Sequence, residues 1–261
     1  MECTGGLMGI LQRLKWGDWR AFTREIAIVV IGVLVALAAG DVAENWNWQR
    51  KLSVGEAALR REAVDNFQYA AEQVTVGPCV EAQLEAARSR LLASGSTLDP
   101  APIFSEPDIH AYVYRMPSRP YVDTAWQALN SEGTTAHMDG PRRAAFAGHY
   151  QQVNDLVARR SQLDVLSSRS MLLGRRIAMD AATRAALAGD LEETSGQSDS
   201  QSLVAIQVMA KLRDLGQAPP AAAVDEFLSK YSGTIRFCKA HGSPIADWRM
   251  ALVGEEVDIP K

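Results

Sequence analysis

Residues 26–40 read IAIVVIGVLVALAAG, fifteen positions without a charge or a strongly polar side chain. The run alone is shorter than the roughly 18–20 residues that a bilayer core demands, so its flanks decide the reading. Trp16 and Trp19 precede it, and Trp46 and Trp48 follow. Tryptophan favours the headgroup level, where its ring meets apolar chains and its N–H stays wet. As continuous helix, Trp19 to Trp46 covers ~40 Å at ~1.5 Å per residue, close to the ~40–45 Å of a bilayer with its interfaces. Phe22, Val42 and Ala43 lengthen the apolar stretch, and Arg24, Glu25, Asp41 and Glu44 are placed to snorkel outward. A cleaved signal peptide would need an A-x-A-like site, for which Ala36, Leu37, Ala38 and Ala39 offer only a weak match. A buried core helix would not carry tryptophan pairs on both flanks. The run is therefore expected to be an uncleaved membrane anchor.

Outside this segment the composition is that of an ordinary folded chain. Of 261 residues, 47% are hydrophobic and 22% charged, which excludes disordered, collagen-like and multi-span classes. With 27 basic and 31 acidic residues the net charge is -4, giving no field to draw nucleic acid, so no such partner is expected. Arg13, Lys15, Arg20 and Arg24 before the span nearly balance Arg50, Lys51, Arg60 and Arg61 after it. The positive-inside count is thus close to a tie. Length breaks it, because about 210 residues follow the span and long domains cross largely regardless of charge. Residues 1–24 are expected in the cytoplasm, 25–45 in the membrane and 46–261 as an exported domain. Leu7, Ile10, Leu11 and Leu14, beside Arg13 and Lys15, suit a short amphipathic segment on an anionic inner leaflet, with Met8 as an alternative start.

The anchor resembles that of an uncharacterised bacterial family. The shared residues are Glu25-Ile26, then Val29-Val30-Ile31-Gly32-Val33-Leu34-Val35-Ala36-Leu37, then Asn45-Trp46-Asn47-Trp48 with Arg50-Lys51. They are similar to that family's E-I-x-x-x-x-I-G-x-L-x-A-L run, short W-N motif and basic pair. Thr124-Ala125-Trp126-Gln127-Ala128-Leu129 followed by Glu132-Gly133 resembles its T-x-W-x-x-x-x-x-G segment, with one residue more before the glycine. Residues 38–44 depart from the family's shorter, amide-rich connection. The resemblance implies a single inner-membrane span with a helical periplasmic domain, and it supplies no catalytic residues.

Helical periodicity continues past the anchor. Leu52, Leu59, Ala63, Phe67, Ala70 and Val74 share one face, while Glu56, Arg60, Arg61, Glu62 and Asp65 fill the other. Gly77-Pro78 should end this helix and open a second one carrying Val80, Leu84, Ala87, Leu91 and Leu92. Five prolines between Thr97 and Pro120 mark an irregular stretch, with a short helix possible over 108–115. Asp123 is a candidate cap for a helix bearing Trp126 and Leu129, and Asp139-Gly140-Pro141 is a start signal. The apolar face from Phe146 through Tyr150, Val153, Leu156, Val157, Leu163, Leu166 and Leu173 to Ile177 predicts one long helix. Thr194 to Ser200 reads as a loop, followed by helices over about 202–215 and 222–240. With no repeat and no strand alternation, the fold class is all-α: a single N-terminal transmembrane helix continuing into an irregular extracytoplasmic bundle.

Candidate chemistry is sparse. Cys79 and Cys238 would lie beyond the membrane in an oxidising compartment and are expected to pair, the alternative being two unrelated buried thiols; Cys3 stays alone. Cys238-x-x-His241 offers two metal ligands but no second pair, and His110, His137 and His149 stand apart. The glutamate pairs at 192–193 and 255–256 read as solvated charge. No nucleophile elbow, haem site or phosphate-binding glycine loop is present, so no catalytic residue, cofactor or metal is assigned. Gly32, Ala36 and Gly40 fall four apart and form a small-residue seam through which the span could meet a second copy or another membrane protein. The expected function is a membrane-anchored, non-catalytic periplasmic protein acting through protein–protein contacts, as an accessory subunit of a membrane complex. The alternative is a small-ligand sensor working through a separate transducer. A third reading, an enzyme, would draw on Tyr112, Tyr114, Arg115 and His110.

Overall fold

The computed structural model describes residues 16–106 and 109–253. The amphipathic segment from Leu7 to Lys15, Cys3, Met8 and the 255–256 glutamate pair lie outside the described residues, as do the side chains of Trp16 and His110. The chain divides into two units, residues 1–53 and 54–261. In the first unit, helix α1 (Trp16–Ala93) exposes every side chain from Phe22 to Asn47. Val29, Ile31, Leu34, Val35, Leu37 and Val42 are each between 58% and 70% exposed. This stretch holds a window of mean hydropathy 2.6, none of it buried, in one helix long and apolar enough to cross a membrane.

In the second unit the same helix is the core. Leu59, Ala63, Phe67, Ala70 and Val74 are buried, and so is every residue from Ala70 to Val76. Three polar residues on this helix are buried because other elements use them. Glu62, expected on the wet face, instead accepts from the Ala125 amide at 2.8 Å and the Thr124 hydroxyl at 3.0 Å, satisfying an orphan donor at the start of α2 (Thr124–Ser131). Asn66 pairs with both backbone groups of Val122, at 2.7 and 3.0 Å. Glu72 accepts from Ser232 and Arg119, both at 2.6 Å. Gly55 has a packing reason: a Cβ there would lie 2.4 Å from a Leu129 methyl.

The expected break at Gly77-Pro78 does not occur, and α1 continues through Pro78. A proline inside a helix removes a donor and crowds the preceding turn, costing ~3 kcal/mol or more. Two features offset this. Val76, Cys79 and Val80 are fully buried, and the Ala246 amide donates to the Thr75 carbonyl at 2.8 Å, bringing a donor from outside to the disturbed turn. The helix stops at Ala93, where Arg184 donates to the carbonyls of Leu91 (2.6 Å) and Gly95 (2.8 Å) and to the Ser94 hydroxyl. Leu92, expected on the apolar stripe, is exposed.

The remaining elements wrap this spine. The proline-rich stretch forms two small antiparallel pairs: β1 (Thr97–Leu98) with β4 (Ile177–Ala178), and β2 (Phe104–Glu106) with β3 (Ile109–Tyr112). β3 replaces the short helix expected over 108–115. Asp139 caps α3 (Gly140–Ser170), accepting from the Arg142 amide. Asp123 stands at the start of α2 but forms no side-chain cap there, since Glu62 does that work. α3 ends at Ser170, so Leu173 and Ile177 belong to a short 3₁₀ turn and to β4, and Val157 is exposed. The largest departure is α4 (Ala181–Asp214), which runs straight through the Ser-rich segment expected as a loop. Its small polar side chains are what allow close packing. Thr194 and Ser198 are buried, Ser195 donates to Glu81 at 2.7 Å, and Gly77 faces the Ser202 hydroxyl. The single helix expected over 222–240 is instead α5 (Ala221–Tyr231) and α6 (Gly233–Ala240), divided where Ser232 caps α6 through the Ile235 amide. A short α7 (Trp248–Val253) follows.

Cys79 of α1 and Cys238 of α6 form a disulfide with Cα atoms 6.0 Å apart, closing a separation of 159 residues. The bridge sits in a buried cluster with Tyr112 and Phe237, against which Phe104 packs. It ties the last quarter of the chain to the core helix. Reduction, or the double substitution Cys79→Ala with Cys238→Ala, is expected to lower unfolding stability by about 2–5 kcal/mol, read as a shift of the denaturation midpoint. An unchanged midpoint would show that packing alone holds α6 in place.

Candidate functional site

From Phe22 to Asn47 the residues expected to meet a membrane are all exposed on α1. Trp19 and Trp46 are 63% and 69% exposed. Trp48 is half-buried, donates to Glu44 at 3.3 Å, and has the Lys51 ammonium 4.4 Å from its ring. Gly32, Ala36 and Gly40 are exposed, and a Cβ on either glycine would touch nothing within 4 Å. The seam is therefore open to a partner. Of the Cys238-x-x-His241 pair, Cys238 is in the disulfide and His241 packs its ring 4.1 Å from Phe237. Among the described residues, no three His, Cys, Asp or Glu side chains gather around a point where an ion could sit.

The second unit contains a cleft of about 810 Å³, within the size range of small-molecule sites. Its wall comes from α1, the 112–119 segment, α3 and the α5–α6 junction. Tyr112, Tyr114 and Arg115, the sequence cluster noted above, all line it. Among the described residues, its lining includes the guanidinium groups of Arg115, Arg119, Arg160 and Arg236 and the carboxylates of Glu72 and Asp164. Arg119 donates to the buried Glu72 at 2.6 Å and to the Tyr231 carbonyl at 2.7 Å. Arg160 pairs with Asp164 at 2.9 Å and donates to the Pro117 carbonyl. Arg115 is nearly buried. It donates to the Tyr112 hydroxyl at 3.0 Å, with its guanidinium 5.5 Å from the Tyr112 ring and 5.8 Å from Phe237. These rings belong to the cluster around the disulfide, so the bridge braces the cleft's inner wall. Gly233 leaves the room. A Cβ there would lie 2.5 Å from Arg115 Nη2 and 3.7 Å from Arg236 Nη2, so two cationic tips converge on one spot.

Sequence reasoning did not find Glu72, Arg119, Arg160 or Arg236. No spacing signal could have found them, because they come from four separate elements. Comparison with known proteins finds no matching family model, no matching curated protein and no matching solved structure.

A second polar group lies apart from the cleft, beneath α3. Trp126 stacks on Tyr150 with centroids 5.4 Å apart and planes 9° from parallel. His149 is completely buried, and neither ring nitrogen has a hydrogen-bond partner. Burial lowers its pKa from 6.5 to about 4, and the Lys211 ammonium pushes the same way. Burial also drives the Tyr150 phenol far up, aided by the Glu62 carboxylate, although its hydroxyl meets no acceptor at hydrogen-bond geometry. Neither group is poised for acid–base work near neutral pH, so the pocket reads as structural. Because His149 is harder to protonate folded than unfolded, its contribution is present above about pH 6.5 and is lost as pH falls toward 4. Over that window it should remove about 3 kcal/mol of stability. His149→Phe is expected to unfold with a flatter pH dependence between 6.5 and 4 and to lose little at pH 7, measured by thermal melts across pH. A variant with the wild-type slope would assign the acid sensitivity elsewhere.

Proposed function

We propose that this chain is a single-pass membrane protein of a bacterial inner membrane. Its N-terminus is cytoplasmic and its helical domain periplasmic, and it works through protein–protein contacts as an accessory subunit, without catalysis. The observation that carries the reading is the exposed apolar half of α1, where every side chain from Phe22 to Asn47 lacks protein cover. The disulfide supports export to an oxidising compartment. The partner, a second copy or another membrane protein, meets the span on its Gly32, Ala36 and Gly40 face, where close backbone approach is open. The sensor reading keeps one supporting observation, the arginine-lined cleft.

Gentle detergent extraction followed by native mass measurement tests this. The expected particle is larger than one chain of 28.4 kDa, and Gly32→Leu with Gly40→Leu should shift it toward monomer while leaving it membrane-bound. A strictly monomeric wild-type particle without co-purifying protein would overturn the partner reading.

A further inference from the structure

We infer that the seam between the first half of α3 and the last turns of α4 is an acid-released latch, which protonation of His149 opens while the opposite end of the bundle stays closed. The latch lies wholly within the second unit, so it does not depend on which membrane or partner the anchor meets.

Three observations carry this. The first is where the imidazole sits. His149 is completely buried, with its ring 4.8 Å from that of Tyr150. Gly148 precedes it, and a Cβ there would lie 2.9 Å from the Lys211 ammonium. Protonation therefore adds a second positive charge close to the first and away from water, where like charges repel most strongly. Among the described residues, the charged groups acting at this place are Lys211 from α4, Glu62 from α1 and Asp123 at the start of α2. The two carboxylates act on Tyr150, and Lys211 is the one that acts on His149.

The second is how weakly the polar groups here are held. Among the described residues, neither imidazole nitrogen, nor the Tyr150 hydroxyl, nor Glu62 Oε1 has a hydrogen-bond partner. Each such buried atom weakens the closed state, and water reaches them when α3 lifts. The side-chain ties nearby lie toward the surface, Arg142 to Glu56 at 3.0 Å and Gln152 to Gln207 at 3.2 Å. Exposed pairs of this kind add little.

The third is asymmetry. At the other end of α4, Arg184 donates to the carbonyls of Leu91 and Gly95 and to the Ser94 hydroxyl, and β1 pairs with β4. None of these ties titrates in mild acid. Leu91 is about 43 Å further along α1 than Glu62 at helical rise, and the Cys79–Cys238 bridge lies between them in the chain. A bundle so held opens first at its weak end, as a local unit. At neutral pH the imidazole is an uncharged part of the core. Burial, with the Lys211 ammonium second, lowers its pKa from 6.5 to about 4. Closure is thus favoured above about pH 6.5 and weakened as pH falls toward 4.

Hydrogen exchange of the full-length protein in neutral detergent, read by mass spectrometry at pH 7.5 and pH 4.5 and corrected for intrinsic rates, provides the test. Amides of 144–156 are expected to lose protection by about tenfold or more at the lower pH, while those of 84–91 and 185–195 keep theirs. His149→Phe should abolish the loss. Lys211→Gln removes the like charge, makes the folded imidazole easier to protonate and should shrink the loss. The Lys211 side chain is only half-buried, so this variant carries the test if His149→Phe does not fold at pH 7.5. Equal protection of 144–156 at both pH values, or a loss uniform across the second unit, would overturn the proposal. So would an undiminished loss in His149→Phe, or in Lys211→Gln where His149→Phe does not fold.

Discussion

Apolar surface must be covered, and helix α1 carries two stretches of it, one exposed from Phe22 to Val42 and one buried in the core from Leu59 onward. Fully burying a valine, leucine, isoleucine or phenylalanine stabilises by about 1.5–3 kcal/mol. The run from Phe22 to Val42 exposes eleven such side chains, so leaving them in water would cost on the order of 15–35 kcal/mol. That matches or exceeds the ~5–15 kcal/mol by which a typical domain is stable. No loop rearrangement within a chain of this size supplies a comparable compensation, whereas lipid does so without any protein contact. The proposed anchor rests on that magnitude more than on the length of the run.

Beyond residue 54 the same helix solves the problem with protein. Its aliphatic face fills the core, and three of its buried polar side chains become attachment points for other elements. Glu62 starts α2, Asn66 holds the Val122 strand of backbone, and Glu72 gathers Arg119 and Ser232. Removing one partner of such a buried pair leaves the other desolvated and uncompensated, which costs more than the bond itself contributes. The cleft inherits this logic. Its lining includes Glu72 with its Arg119 partner, and the rings around the Cys79–Cys238 bridge stand against Arg115.

Much of this architecture was readable in the sequence. The long exposed apolar stretch of α1 shows as composition, and its core face from Leu59 to Val74 shows as periodicity. The cysteine pairing was expected from count and an oxidising compartment, and the bridge forms between Cys79 and Cys238. What was not readable depends on tertiary partners. Pro78 normally ends a helix, and here buried neighbours and the Ala246 amide keep the helix going. Residues 194–200 carry loop letters, yet their small side chains are what let α4 lie close to α1. Of the cleft, only the local cluster Tyr112, Tyr114 and Arg115 could be seen. Arg160 and Arg236 join it through folding alone.

The central claim is that α1 passes from lipid into a protein core. Single cysteines at Val29, Val33 and Leu37, with Leu92 as the exposed reference, place a reporter on each side of that change in a Cys3→Ser background where Cys79 and Cys238 remain paired. Labelling with a water-soluble maleimide in opened native membranes measures their access to water directly. The account expects strong labelling at position 92 and very little at 29, 33 and 37. Equal labelling at all four positions, or recovery of the full-length protein in the soluble fraction, would contradict it.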